Sequence, residues 1–71
     1  MHYIELVRED TGKRTLIPAN DIGFSEDGNK KTKFWLGDKI SKAYIPWSYD
    51  AVLEAITQSK GFVSFPIRDK E

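Results

Sequence analysis

The sequence predicts an α+β fold: a small antiparallel β-meander of four to six short strands, with one α-helix near the C-terminus. Three observations carry this. Short runs up to Pro46 alternate apolar with other residues, the period of half-buried strands. Polar clusters rich in Gly, Asn and Asp separate those runs and mark turns. After Pro46 the apolar spacing changes to that of a helix.

The first run is Tyr3 to Arg8, with Ile4 and Leu6 on one face and Tyr3, Glu5 and Val7 on the other. The polar turn Glu9-Asp10-Thr11-Gly12-Lys13 then predicts a hairpin. Arg14 to Pro18 is the return strand, and Pro18 ends it or marks a sheet edge. Asn20-Asp21 makes a tight turn into a short strand, Ile22 to Ser25, with Ile22 and Phe24 on one face. Glu26-Asp27-Gly28-Asn29 is the strongest turn signal in the chain. Thr32 to Leu36 follows, with Phe34 and Leu36 opposite Lys33 and Trp35. Gly37-Asp38 turns the chain again, and Lys42 to Pro46 is the next strand, with Ala43 and Ile45 opposite Tyr44.

Ser48 reads as an N-cap, since its hydroxyl can accept the free amides of a first helical turn. Asp50 adds favourable charge at that end of the helix dipole. Tyr49, Val52, Leu53 and Ile56 fall on one helical stripe, and Gly61 sits where a left-handed cap would stop the helix. Phe62 to Ile67 predicts a last strand, which Pro66 would confine to an edge. Arg68 to Glu71 is expected to fray.

The 71 residues have room for one domain, 1–71, with one small core. Two Trp, three Tyr and four Phe supply large apolar areas. With no Cys and only His2, the chain has no disulfide, thiolate site or zinc set to staple so small a core, which leaves oligomerisation. No apolar run approaches the roughly 20 residues that span a bilayer. Glu5 and Arg8 interrupt the N-terminal stretch where a signal peptide would be apolar, so a cytoplasmic protein is expected.

The net charge is zero, but it is unevenly spread. Residues 1–27 hold three basic and six acidic side chains, residues 28–48 hold five Lys against one Asp, and residues 49–71 hold three basic and four acidic. A basic middle of +4 therefore lies between flanks of −3 and −1. Paired charges on neighbouring strands would explain this, and so would an anion-binding face.

No catalytic constellation is legible. One His leaves no ordinary general base, and Ser25, Ser41, Ser48, Ser59 and Ser64 have no His partner in any recognisable motif. The acidic pairs Glu9-Asp10 and Glu26-Asp27 belong to turns and lack the alternating oxygen ligands of a calcium loop. The glycines are isolated, so no phosphate-cradling loop is present. The expectation is a non-enzyme without cofactor or metal.

One cluster carries a binding chemistry: Lys30, Lys31, Lys33 and Trp35, continuing to Lys42, Tyr44 and Trp47. Lysines interleaved with aromatics on a β-surface can hold phosphates and stack on bases. The bland alternative is that Trp35 covers the second face of the sheet, or the helix, with the lysines solvated around it. Trp and Tyr are equally the residues of protein-interface anchors.

The order hairpin, strand, strand, helix resembles the small FlbD-like proteins associated with bacterial flagella. The resemblance rests on the hairpin around Gly12, on Pro18-Ala19-Asn20-Asp21-Ile22, and on Phe34-Trp35-Leu36-Gly37-Asp38. It extends through Ile45-Pro46-Trp47-Ser48 into Asp50-Ala51-Val52-Leu53-Glu54-Ala55-Ile56, and so covers roughly residues 3–57. The chain departs from that family at its Asn-Pro-Asp-like turn, which is reordered here, and by the addition of Phe62 to Glu71. This resemblance implies an accessory, non-enzymatic role. A fainter one is to the LytTR-type DNA-binding domain, through strands, a helix and the aromatic strand Gly61-Phe62-Val63-Ser64-Phe65. The basic DNA-contacting residues that follow in that family have no counterpart before Glu71.

The function expected is a small non-enzymatic accessory or interaction module that binds a protein partner or itself, as a homodimer for example. The alternative is a nucleic-acid-binding domain using the basic, aromatic β-face. A bacterial protein and a phage-encoded accessory protein would share these features.

Overall fold

The structure is a computed structural model, and it describes residues 2–69. Each alternating run becomes a strand: β1 Tyr3–Arg8, β2 Arg14–Pro18, β3 Ile22–Glu26, β4 Thr32–Leu36, β5 Lys39–Ile45 and β6 Phe62–Asp69. A 3-10 turn, Ala19–Asp21, joins β2 to β3, and α1, Tyr49–Gln58, lies between β5 and β6. The fold is α+β, as the periodicities require. β5 starts three residues earlier than the sequence suggests, because Leu36 already pairs with Lys39 across the Gly37-Asp38 turn. Polar Lys39 and Ser41 beside the outward Ile40 hide that strand from a search for apolar alternation.

The sheet is mixed, which corrects the expected antiparallel meander. The strand order is β2-β1-β6-β5-β4-β3. β6 inserts between the N-terminal hairpin and the β3–β4–β5 meander, parallel to β1 and antiparallel to β5. Alternation fixes which face of a strand is buried and says nothing about its neighbour. A parallel pair also needs a long crossover, supplied here by everything between β1 and β6.

Pro66 therefore sits in a central strand and not on the expected edge. The hydrogen-bond phase explains how. The amide of Tyr3 donates to the Gly61 carbonyl and that of Glu9 to the Ile67 carbonyl, so odd-numbered residues of β6 bond towards β1. The missing N–H of Pro66 thus faces β5, whose pairing with β6 is confined to Tyr44↔Arg68 and Ala43↔Asp69. Locally Pro66 has no ladder to break.

The sheet curls strongly. Three strand spacings separate β3 from β6, roughly 14 Å if flat. Yet the rings of Phe24 on β3 and Phe65 on β6 meet edge-to-face with centroids 5.9 Å apart. The concave side encloses the core, in which Ile4, Leu6, Phe34, Ile45, Val52 and Phe65 are all buried. Thr32 is the buried polar side chain of this core, and its Oγ1 donates to the Trp47 carbonyl at 2.9 Å. The radius of gyration, 11.2 Å, matches the value of about 11 Å expected for one compact unit of this length.

α1 closes the concave side. The Ser48 cap forms as expected, with its Oγ accepting from the Ala51 amide at 3.2 Å. The buried stripe is rotated from the expected one. Val52 is buried and Ala55 and Ile56 pack on the core, while Leu53 is 46% exposed. Gly61 is not the helix cap: α1 ends at Gln58, and Ser59 is its extended C-cap residue. Gly61 takes its positive φ of 104° two residues later, where the chain turns into β6. Arg68 and Asp69, expected to fray, belong to β6. Lys70 and Glu71 lie outside the described residues. No described helix is long and apolar enough to cross a membrane.

Candidate functional site

With the concave side filled by core and helix, the convex side of the sheet is the surface offered to solvent. Its two halves differ in chemistry.

The β3–β4–β5 half carries most of the cluster singled out in the sequence. Cross-strand partners share a face, so the outward positions follow from the register: Gly23 with Trp35, Ser25 with Lys33, Lys33 with Tyr44, and Trp35 with Ile40. Lys42 lies in an irregular stretch of β5 opposite Phe34. It projects outward too, since Ser41 and Ala43 on either side line an inner cavity. The outward positions of these three strands hold no carboxylate. Glu26 ends β3 in register with the inward Thr32. Neither Lys33 nor Lys42 takes part in a salt bridge among the described residues. The Lys31 Nζ lies over the Tyr44 ring, 4.9 Å from its centroid.

Trp35 owes its position to Gly23. A Cβ built on Gly23 would lie 2.2 Å from the indole ring, so the ring lies directly on the bare backbone of its cross-strand partner. The lack of a side chain at residue 23 makes room for one of the two largest in the chain. Trp35 is half-buried in this position.

Two of the sequence-selected residues lie elsewhere. Lys30 is exposed in the β3–β4 connection, and Trp47 does not join the face at all. The Trp47 ring packs edge-to-face on the fully buried Phe65, with centroids 5.4 Å apart, and so seals the core where α1 begins. Ile40 and Arg68 are surface residues that sequence reasoning missed. Ile40 is 67% exposed and adjoins Trp35. Arg68 pairs with Tyr44 across β5 and β6, and its Nε donates to Glu9. The bond to Glu9 raises the Arg68 pKa above its ordinary value, and Tyr44 adds in the same direction. Strand order alone could have brought Arg68 here, and local pattern does not supply it.

The β2–β1–β6 half is apolar with charges of both signs. Tyr3 is in register with Phe62 on one side and with Pro18 on the other. Leu16, two residues before Pro18, lies diagonally beside Tyr3. Leu16 is 56%, Phe62 54% and Tyr3 36% exposed. Glu5, opposite Leu16, accepts a hydrogen bond from the Ser64 Oγ at 3.0 Å, and Arg14 stands opposite Val7.

Two cavities among the described residues are small. One of about 200 Å³ lies between His2, Ala19, Ile56 and Val63. Another of about 170 Å³ lies at the open side of the curled sheet between Thr15, Leu36 and Ser41. Both fall below the roughly 300 Å³ at which small-molecule pockets begin. Among the described residues no three His, Cys, Asp or Glu side chains converge as a metal site would need. No family model, no curated protein and no solved structure matches the chain.

Proposed function

We propose that the chain is a non-enzymatic interaction module, and that the apolar half of its convex surface docks a second copy of itself. The observation that carries this is the row Leu16, Tyr3, Phe62: three large, solvent-exposed apolar side chains on three adjacent strands, with Tyr3 directly opposite Phe62 and diagonal to Leu16. The row fits a second copy because its flanking charges, Glu5 and Arg14, are of opposite sign. A two-fold contact sets a patch against its own duplicate, which a single-sign patch resists and a mixed one permits. A core this small, in a chain without Cys, also gains most from burying further apolar area. The accessory role implied by the resemblance to FlbD-like proteins is in keeping with this reading. The test is light scattering over a concentration series. Self-association should appear at high concentration and be abolished by Leu16→Asp, which places a charge in the row. A strictly monomeric chain would leave the patch to a different protein and overturn self-docking.

A further inference from the structure

We infer that the β3–β4–β5 half of the convex surface is a second, separate site, and that its ligand is single-stranded nucleic acid. This site does not rest on self-association and uses none of the same side chains.

Charge is the first ground. Lys33 and Lys42 project from a face without a carboxylate, and Lys31 stands over Tyr44 at its edge. A single-sign surface repels its own copy and attracts a polyanion. Of the acidic groups of neighbouring elements, Glu9 is engaged by Arg68, and Asp38 and Asp27 belong to the β4–β5 turn and the β3–β4 connection, outside the strands of this face.

The second ground is the aromatic platform. The indole of Trp35 is seated on the backbone at Gly23, on the sheet face that also carries Lys33 and Ile40. A half-buried aromatic ring on a face with lysines is an arrangement on which unpaired bases stack, with phosphates held by the lysines. Tyr44, in register with Lys33, offers a second ring.

The third ground separates single strands from duplex. A duplex is read by an element that enters a groove, most often a basic helix. The one α-helix among the described residues carries Asp50 and Glu54 and no Lys or Arg. The basic groups lie on the convex side of a sheet, where exposed bases are reached and stacked ones are not.

The test uses the whole chain and a fluorescent oligothymidylate of about 15 nucleotides, within the site sizes of small β-domains. Anisotropy at low salt should show binding, with log affinity falling by roughly 0.7 per phosphate contact for each unit of log salt. Lys33→Ala with Lys42→Ala should flatten that slope by about 1.4 while circular dichroism stays unchanged. In a Trp47→Phe background, where Trp35 is the sole indole, the oligonucleotide should quench Trp35 emission. Inorganic polyphosphate, which has no bases, should bind more weakly and leave that emission unaltered. No binding by a folded chain at low salt would overturn the site. Equal binding of polyphosphate without Trp35 quenching would overturn nucleic acid as its ligand. Leu16→Asp should bind the oligonucleotide as the parent does, so this site and self-docking stand or fall separately.

Discussion

At the scale of single residues, two side chains show how specific contacts shape the sheet. Thr32 is buried and donates its hydroxyl to the Trp47 carbonyl. Thr32→Val keeps the shape and removes the donor, leaving a carbonyl unpaired. It should cost about 1–3 kcal/mol in urea melts, whereas Thr32→Ser should retain the bond. Gly23 is the complementary case, conserving space and not a bond. Gly23→Ala should cost about 1–3 kcal/mol, because its methyl would overlap the Trp35 ring. A double-mutant cycle checks this: with Trp35→Leu in place, most of the Gly23→Ala penalty should vanish. An undiminished penalty would mean that the glycine serves something other than the indole. Neither contact is legible in the sequence. Both join residues that are brought together only by register or by tertiary packing, and local pattern carries neither.

At the scale of elements, the sequence is most informative where one face of an element is wholly buried. β1 and β4 are bounded where their alternation begins and ends, because Ile4, Leu6, Thr32 and Phe34 all point into the core. β5 begins before its apolar pattern does, since its first residues pair without burying anything large. The helix was legible in place and in cap, but its orientation was not. Leu53 and Ala55 compete for the stripe, and packing against a curled sheet favours the smaller residue. Stability measurements should order the variants accordingly. Ser48→Ala should cost about 1 kcal/mol through the lost cap. Val52→Ala should cost about 2 kcal/mol or more through the cavity it leaves in the core. Leu53→Ala should stay within about 0.5 kcal/mol, as for other surface changes. A Leu53 variant as costly as the Val52 variant would mean that the helix is turned by one position.

At the scale of the whole molecule, β6 decides the architecture. By entering between β1 and β5 it joins a hairpin and a meander into one curled sheet. It also lays out the convex surface as two neighbouring fields. The basic aromatic cluster was visible in the sequence as a run from Lys30 to Trp47, and its part from Lys31 to Tyr44 shares a face because those strands are consecutive. The row Leu16, Tyr3, Phe62 was not, because Phe62 is brought beside Tyr3 by a parallel pairing across most of the chain. The two fields should respond oppositely to salt. Polyanion binding weakens as salt rises, while apolar docking is indifferent to it or strengthened. Light scattering of the chain and of Leu16→Asp, over a concentration series at low and high salt, therefore tests the proposed function most directly. The expected result is a mass that rises from the 8.2 kDa monomer towards twice that value at both salts, with Leu16→Asp remaining monomeric. A parent chain that stays monomeric throughout, or a Leu16→Asp variant that associates equally well, would contradict it.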